Sequence, residues 1–378
     1  MLHHSHGIYI LASDPQYDQL LALIHSIAAN VSPQIPICVI PGNDSTQRIE
    51  QEIAQRDNLS LFDDAASLAR WESFGAAVWQ SLPVVNRLSQ RYAEGYGDRE
   101  PFRRFCAFDG PFEKFVFYDV ASLAMKPLDD CWAKLEDYDF VVDDWQHCRP
   151  LASSAFNRGV LNRDRRAALG LVTLSGRVHG SSWFGAKRGA IDLAALARLR
   201  DRLIHQGEAQ WLNALNWWSA DELFSYMTLR CQERGPAKLF NYSRSPNLME
   251  RTGNCALGDD FVAVGPVLYS VAHAPQPPQL KPIHRLNYGQ YSSFDFALLC
   301  EGETVAIPYD YLFCTTAIAR PSSGGGPRGG DRPPCPHRPR PWAGARQPAV
   351  LLWPCPSGGG RRSPWTIGSP ARFLAPAP

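Results

Sequence analysis

The first part of the chain alternates short apolar runs with longer segments in which apolar residues recur every three or four positions. GIYILAS, residues 7–13, is a continuous apolar run typical of a buried strand, and the next segment has helical spacing. Asp14 and Pro15 suit the first positions of that helix. A second run, residues 35–40, ends at PGND, and an amphipathic helix is predicted over 45–57. This repeat predicts a parallel sheet with right-handed crossovers.

The same alternation continues along most of the chain. Further strands are predicted at 59–62, at 115–118 before Asp119, and at 139–145, with further helices at about 64–93, 191–205 and 219–231. The predicted fold class is therefore α/β: a Rossmann-like, mixed but mainly parallel sheet flanked by helices.

The composition changes near residue 319. Residues 321–378 hold eight of the 38 Lys and Arg residues, all of them Arg, and one of the 37 Asp and Glu residues. The body is therefore net acidic, whereas the tail is basic, rich in Pro and Gly, and without apolar periodicity, so we expect it to be disordered. We predict a folded domain over 1–318 and a tail over 319–378 that is a possible frameshift product; a nucleic-acid-binding tail is the alternative.

Several classes of protein are excluded or disfavoured by the rest of the sequence. It has no segment long and apolar enough to cross a bilayer and no signal-peptide pattern, so a soluble cytoplasmic protein is expected. The ten cysteines show no CxxC pairs, which argues against a zinc site or a disulfide framework. Cys38 and Cys106 lie in apolar runs and are predicted to be core residues.

Two common nucleotide-binding motifs are missing. No GxGxxG follows the first strand. GSSWFGAK, residues 180–187, approaches a phosphate-binding loop, but Ala186 stands where the lysine should be. Nicotinamide oxidoreductases and P-loop enzymes are therefore disfavoured.

The most informative polar residue is Asp119, directly after the apolar run FVFY. A carboxylate at the carboxyl end of a central strand lies where open α/β sheets bind ligands. Two residues later, where a second carboxylate could share a cation, the sequence has Ala121. Asp143 and Asp144 form an adjacent pair at another predicted strand end, with a solvated turn as the alternative.

The order of several segments resembles the GT-A nucleotide-diphospho-sugar transferases, in particular glycosyltransferase family 8, the glycogenin and galactosyltransferase group, and allied uncharacterised cyanobacterial proteins. The segments span about residues 7–310 and are GIYILASDPQYDQLLALIHSI, FCAFDGPFEKFVFYDVASLAMKPLDD, HGSSWFGAKRG, SADELFSYM and PIHRLNYGQ. The resemblance implies a GT-A fold and a UDP-sugar or other nucleotide-sugar donor.

The resemblance also implies roles for residues of the donor site. The turn after the first strand would face the base and ribose; its residues are Ala12, Ser13, Asp14 and Tyr17. Helix capping is the alternative for Asp14. Asp119 would hold Mn²⁺ or Mg²⁺, a cation that takes hard oxygen ligands and neutralises the departing diphosphate.

A second metal ligand is implied further along the chain. His284, in PIHRLNYGQ, falls where the family often has a metal-binding histidine, although Asn287 replaces the glycine of that motif. A locally hydrogen-bonded histidine is the alternative.

Sugar recognition is implied for the second half of the domain. Asp221 and Glu222, in SADELFSYM, match the position where the family binds the donor sugar, and first-turn helix acids are the alternative. Trp183, beside Ser181 and Ser182 in the predicted 181–184 loop, could stack on a sugar or lie in the core.

Basic residues offer a further set of phosphate contacts. Those that could meet a diphosphate, with surface charge as the alternative, are Lys114, Lys126, Lys187 and Arg188.

Taken together, these features predict a glycosyltransferase that moves a sugar from a nucleotide-diphosphate donor to a glycan, lipid or protein acceptor. The missing acid at Ala121 supports a second hypothesis, a catalytically inactive protein that keeps the fold and binds a nucleotide or a partner. No nucleic-acid partner is expected for the folded domain.

Overall fold

A computed structural model of the 378-residue chain describes residues 4–82, 100–143, 179–212, 220–234, 237–245, 261–264, 267–271, 280–289, 291–303, 305, 307 and 312–314. The predicted tail, residues 319–378, and the predicted pair member Asp144 lie outside these residues.

Twelve strands occur in the described residues. They are β1 His4–Ala12, β2 Ile37–Pro41, β3 Leu59–Leu61, β4 Phe112–Asp119, β5 Ser122–Ala124, β6 Phe140–Val142, β7 Trp183–Lys187, β8 Leu239–Asn241, β9 Phe261–Val264, β10 Val267–Val271, β11 Leu280–Pro282 and β12 Arg285–Asn287.

The described α-helices are α1 Tyr17–Asn30, α2 Gln47–Ile53, α3 Ala65–Ser81, α4 Glu100–Arg103, α5 Asp129–Asp137, α6 Leu193–Arg200, α7 Ala220–Arg234 and α8 Ser293–Cys300. A π-helical turn follows α6 at Asp201–His205, and 3₁₀ turns occur at Asp14–Gln16, Arg104–Phe108, Glu208–Trp211 and Tyr242–Arg244. Within these described ranges, no helix combines the length and the apolar character needed to span a membrane.

Seven strands form one sheet in the order β3-β2-β1-β4-β7-β6-β8. The neighbours β3, β2, β1 and β4 run parallel, and β6 pairs with β8 in parallel. Strand β7 is antiparallel to both β4 and β6. The mixed, mainly parallel α/β sheet predicted from the sequence is therefore confirmed, with β1 and β4 at its centre.

The centre of the sheet is buried on both faces, which explains why β4 is apolar at successive positions. Phe115 and Phe117 belong to the aromatic core on one face, whereas Val116 and Tyr118 belong to the core on the opposite face. Phe117 stacks on Phe184 of β7, with ring centroids 5.2 Å apart. Alternate packing of one strand into two cores fixes its register, and with it the position of Asp119.

Several predicted elements are observed with different bounds. The helix predicted over 45–57 is α2, which begins after Thr46 and ends at Ile53. The helix predicted over 64–93 is observed as α3, and residues 83–99 lie outside the described part. Asp64 caps α3 by accepting a hydrogen bond from the amide of Ser67, 2.9 Å away. Cys38 and Cys106 are buried as predicted, and burial raises the pKa of each thiol to about 12.

A buried ionic cluster stabilises the face of the sheet that α7 covers. Glu208 is 2 % exposed and accepts hydrogen bonds from Arg230, with an Nη2–Oε2 distance of 2.7 Å, and from the Tyr226 hydroxyl. Arg202 donates to its other oxygen over 3.3 Å. The carboxylate is therefore held by two cations, as a buried charge requires.

A small second sheet lies just beyond the end of β4. Strand β12 pairs antiparallel with β5, so that Arg285 lies opposite Ala124 and Asn287 opposite Ser122. The amide of Met125 donates to the carbonyl of His284 over 3.0 Å. Residues near position 285 are therefore brought beside the carboxyl end of β4.

Candidate functional site

Asp119 lies at the carboxyl end of the central strand β4, beside the end of β1. Its register partner on β1 is Leu11, and because the two strands are parallel, the turn after Ala12 lies at the same edge of the sheet. The Asp119 amide donates to the Ser182 carbonyl over 2.8 Å, and its Oδ1 accepts from the Ala121 amide over 3.1 Å. The side chain remains 28 % exposed, so a fixed carboxylate faces the edge where ligands bind α/β sheets.

Ala121, in place of a second acid, belongs to an apolar cluster. It is 8 % exposed and lies in a core with Leu123, Leu286 and Ile283. Its carbonyl accepts a hydrogen bond from the Tyr288 amide over 2.7 Å. At the position where a second carboxylate could share a cation, the chain therefore has a small apolar side chain. It packs between β5 and the segment that contains β12.

Two arginines converge on the dipeptide that contacts Asp119. Arg104 Nη1 donates to the Ser181 hydroxyl over 2.8 Å and to the Ser181 carbonyl over 3.2 Å. Arg104 Nη2 lies 4.0 Å from Asp119 Oδ2, and its guanidinium lies 5.4 Å from the centroid of the Phe117 ring. Arg285 Nη1 donates to the Ser182 hydroxyl over 2.9 Å. Positive charge therefore gathers beside the single strand-end acid.

His284 is fully buried between two other carboxylates. Its Nδ1 lies 2.8 Å from Asp143 Oδ2, and its Nε2 lies 3.4 Å from Asp130 Oδ2. The ring stacks on Trp183 at 4.9 Å with an interplanar angle of 19°. An imidazole that faces a carboxylate at each nitrogen donates to both only when both nitrogens carry protons. In the described structure His284 is thus held within the core by its contacts with two carboxylates, in line with the alternative of local hydrogen bonding.

The sequence-predicted metal ligands are not brought together by these contacts. Asp119 faces Arg104, whereas both ring nitrogens of His284 face Asp143 and Asp130. Across the part of the chain that the structure describes, no group of three or more His, Cys, Asp or Glu side chains could hold a metal ion. These residues do not fit the octahedral oxygen shell of Mg²⁺, and the shared cation at Asp119 and His284 stays a prediction.

The predicted base and ribose residues lie at the carboxyl-end edge of the sheet, but three of their side chains have structural partners. The Ser13 hydroxyl donates to Gln16 Oε1 over 3.4 Å. Asp14 accepts hydrogen bonds from the amides of Arg48 and Ile49 over 3.1 and 3.2 Å, so it caps α2 rather than the helix that follows it. The Tyr17 hydroxyl donates to Glu52 over 2.8 Å. Burial and this hydrogen bond raise the pKa of Tyr17 to about 12.

Other sequence candidates are placed as follows. Trp183 is 1 % exposed and, with Phe184, starts strand β7, so the prediction of a 181–184 loop is corrected to a short turn followed by a strand. Asp221 and Glu222 fall in the first turn of α7, and their side chains lie outside the described part.

Three of the four basic candidates pair with acids. Lys114 pairs with Glu136, Lys126 with Asp130 over 2.6 Å, and Lys187 with Asp139 over 3.5 Å.

A separate pocket of about 570 Å³ is lined by residues 57–64 and 109–112, with Cys38 and Arg188. Its lining does not include Asp119. Within it, Asp109 accepts hydrogen bonds from Ser67, Arg70 and Trp71, and Asp64 caps α3. The carboxylates of Asp109 and Asp64 therefore contribute to the folded structure through these hydrogen bonds.

Comparison with solved structures gives three similar enzymes. The galactosyltransferase LgtC, in complex with donor and acceptor sugar analogues, is 12 % identical over 83 % of this chain and 97 % of that chain, with a TM-score of 0.47. Mouse xyloside xylosyltransferase 1 is 9 % identical over 62 % of this chain and 84 % of that chain, with a TM-score of 0.42. Core-mannan synthase A from Aspergillus fumigatus, in an Mn/GDP form, is 10 % identical over 70 % of this chain and 81 % of that chain, with a TM-score of 0.38.

These neighbours are GT-A glycosyltransferases. No protein-family profile and no curated protein sequence matches the chain.

Sequence reasoning missed three side chains of this region: Arg104, Arg285 and Asp130. Arg104 interrupts the apolar run FRRFCAF, and a charge inside such a run is a signal of a paired or functional residue. Arg285 directly follows His284, but only the β5–β12 pairing brings it to Ser182.

Proposed function

We propose that this protein is a glycosyltransferase that moves a sugar from a nucleotide-diphosphate donor to a hydroxyl of a glycan, lipid or protein acceptor. The observation that carries the proposal is the placement of Asp119 at the carboxyl end of β4, with Arg104 and Arg285 held on the adjoining Ser181–Ser182 segment. A carboxylate beside cations suits a ligand with both hydroxyls and phosphates.

The nucleotide would lie across the ends of β1 and β4. Asp119 would accept hydrogen bonds from ribose hydroxyls, while the turn after Ala12 would face the base. Asp14 and Tyr17 would shape this turn through their bonds to α2, because each ties the turn to that helix. Asp221 and Glu222, at the start of α7, would bind the donor sugar.

Transfer then requires the bond between the anomeric carbon and the donor phosphate oxygen to break, with the electron pair leaving on the diphosphate. The acceptor hydroxyl oxygen forms the new bond to the anomeric carbon, and its proton passes to the departing diphosphate. Since negative charge develops on the leaving group, stabilisation of that charge by fixed cations lowers the barrier. The described residues supply no ligand set for the predicted Mn²⁺ or Mg²⁺, and no step is assigned to a metal.

A second candidate function is nucleotide binding without transfer. It is favoured by two observations: Ala121 is packed into an apolar cluster, and His284 is engaged by Asp143 and Asp130. Both changes remove groups that the family resemblance assigns to the metal.

Calorimetric titration of the full chain with UDP, GDP, UDP-glucose, UDP-galactose and GDP-mannose tests the proposal, followed by an assay for released nucleotide diphosphate. We expect at least one nucleotide to bind, and Asp119→Asn to weaken it about tenfold because a charged hydrogen-bond acceptor is lost. Asp137→Asn, at an exposed position of α5, is the matched control. Binding without release of nucleotide, with a panel of acceptors present, would support the second candidate, and no binding of any probe would refute both.

The predicted cytoplasmic location and the predicted frameshift origin of residues 319–378 stay predictions. Resequencing the locus tests the second, since an error-free reading frame through residue 378 would refute it.

A further inference from the structure

The charge at the end of β4 is unusual for a site built around a divalent ion. Asp119 contributes one negative charge, Ala121 contributes none, and the Arg104 guanidinium lies 4.0 Å from the Asp119 carboxylate. A divalent cation at this position would be repelled by that guanidinium. An anionic ligand would be attracted to it.

Both arginines are held in place by the protein. Arg104 is fixed by the hydroxyl and carbonyl of Ser181, and Arg285 by the hydroxyl of Ser182. Ser181 and Ser182 are consecutive, with Cα atoms about 3.8 Å apart, so two guanidinium groups lie on one short segment. That segment is anchored to the strand end by the hydrogen bond between the Asp119 amide and the Ser182 carbonyl, 2.8 Å long.

The burial of Arg104 and Arg285 strengthens the electrostatic attraction that they exert on an anion. The Arg104 side chain is 13 % exposed and Arg285 is 4 % exposed, so both charges lie in a region of reduced dielectric constant. Together they carry the same formal charge as one divalent ion. Guanidinium groups also match the geometry of phosphate oxygens, to which they donate two parallel hydrogen bonds.

We propose that Arg104 and Arg285 bind the diphosphate of the donor in place of a metal ion, so that donor binding does not require Mn²⁺ or Mg²⁺. This inference rests on the proposed function and names the groups that meet the leaving diphosphate. Asp119 then serves the ribose and the orientation of Arg104, rather than a cation.

The test is calorimetric titration of the full chain with UDP, GDP and inorganic pyrophosphate, each in EDTA and again with Mn²⁺. We expect at least one nucleotide diphosphate, and pyrophosphate more weakly, to bind in EDTA with affinity that changes less than threefold when Mn²⁺ is added. Binding should weaken with rising salt, because it depends on charge.

Variants locate the binding to these two side chains. Arg104→Gln and Arg285→Gln should each weaken diphosphate binding about tenfold to a hundredfold, because each removes charge-assisted hydrogen bonds. Arg104→Lys should recover part of the affinity, since the charge is kept and the fork is lost. The matched control is Arg103→Gln, an adjacent arginine with a 17 % exposed side chain that pairs with Glu72.

Unfolding midpoints of all variants are measured alongside. Arg104→Lys, which keeps the positive charge, shows whether the loss of binding in Arg104→Gln comes from loss of folding. Diphosphate binding that appears only with Mn²⁺ would overturn the arginine proposal and leave the proposed function standing. Equal loss in Arg103→Gln and Arg104→Gln would also overturn it. No binding of any probe under either condition would refute the proposed function itself.

Discussion

Replacing His284 by Phe is a sharp test of the buried charge network around this residue. Phe keeps an aromatic ring against Trp183, whose centroid is 4.9 Å away, and against Tyr242, at 4.4 Å. It removes both nitrogens, and with them the 2.8 Å contact to Asp143 and the 3.4 Å contact to Asp130. The substitution therefore separates the polar contacts of the histidine from its packing.

The magnitude follows from the burial of the partners. The Asp143 side chain is 0 % exposed and would lose its imidazole partner while keeping a 3.3 Å contact with the Ser243 hydroxyl. Removing one partner of a buried hydrogen bond costs about 1–3 kcal/mol, because the remaining polar group loses that bond without regaining water. Asp130 adds less, since its side chain is 39 % exposed and it retains Lys126 at 2.6 Å. We expect His284→Phe to destabilise the fold by about 1–3 kcal/mol.

Urea unfolding at pH 7 measures this loss, and a double-mutant cycle assigns it. Asp143→Asn should destabilise the wild-type chain but stabilise the His284→Phe chain, because it neutralises a buried carboxylate that has lost its imidazole partner. His205→Phe, at an exposed position of the π-helical turn after α6, is the control and should stay within about 0.5 kcal/mol of wild type. A coupling energy below about 0.5 kcal/mol between positions 143 and 284 would refute the reasoning.

The same network predicts a dependence on pH. Burial by itself raises the pKa of Asp130, but the hydrogen bond and charge of His284, together with Lys126, outweigh it and hold the pKa well below its usual range. Because the folded pKa lies below the unfolded value of about 4, this contribution to stability is present above that pH and is lost as the pH falls below it. The wild-type midpoint should therefore fall more steeply between about pH 5 and pH 3 than that of His284→Phe. Parallel pH profiles would contradict this account.

Three further substitutions test the packing, a helix cap and a buried charge by urea unfolding. Gly110→Ala places a methyl group 1.9 Å from the Tyr9 hydroxyl and should cost about 1–3 kcal/mol, whereas Gly42→Ala, with neighbours at 3.4 Å or more, should be nearly neutral; equal midpoints for the two would contradict the packing. Asp14→Ala removes the carboxylate that caps α2 and should cost about 1 kcal/mol, so an unchanged midpoint would argue against the cap. Glu208→Gln removes the buried negative charge that accepts hydrogen bonds from Arg230 and Arg202 and should cost about 3 kcal/mol, and a loss below 1 kcal/mol would contradict its role.

Local patterns were sufficient to predict much of the fold. The apolar runs at residues 7–13, 35–40 and 115–118 became β1, β2 and β4, since each is long enough to cross a sheet and buried on both faces. The helices were predicted from their spacing of apolar residues, but their ends were less well predicted. For example, α2 begins at Gln47, where Asp14, a residue 33 positions earlier, caps its first amides.

The candidate site could be predicted only in part. Asp119 was identified because a charge directly follows an apolar strand, which is a local signal. The partners of His284 were not, because Asp130 and Asp143 lie more than 140 positions away in sequence and reach the ring only after β5 and β12 have paired.

The sequence by itself determined the alternation of strands and helices and the single acid at the end of the central strand, since both depend on neighbouring residues. Only the tertiary structure decided that Arg104, Ser182 and Arg285 meet beside Asp119, and that His284 faces Asp143 and Asp130 instead. Charges that are distant in sequence become partners through strand order and register, and these are set by packing in the two cores on either side of the sheet.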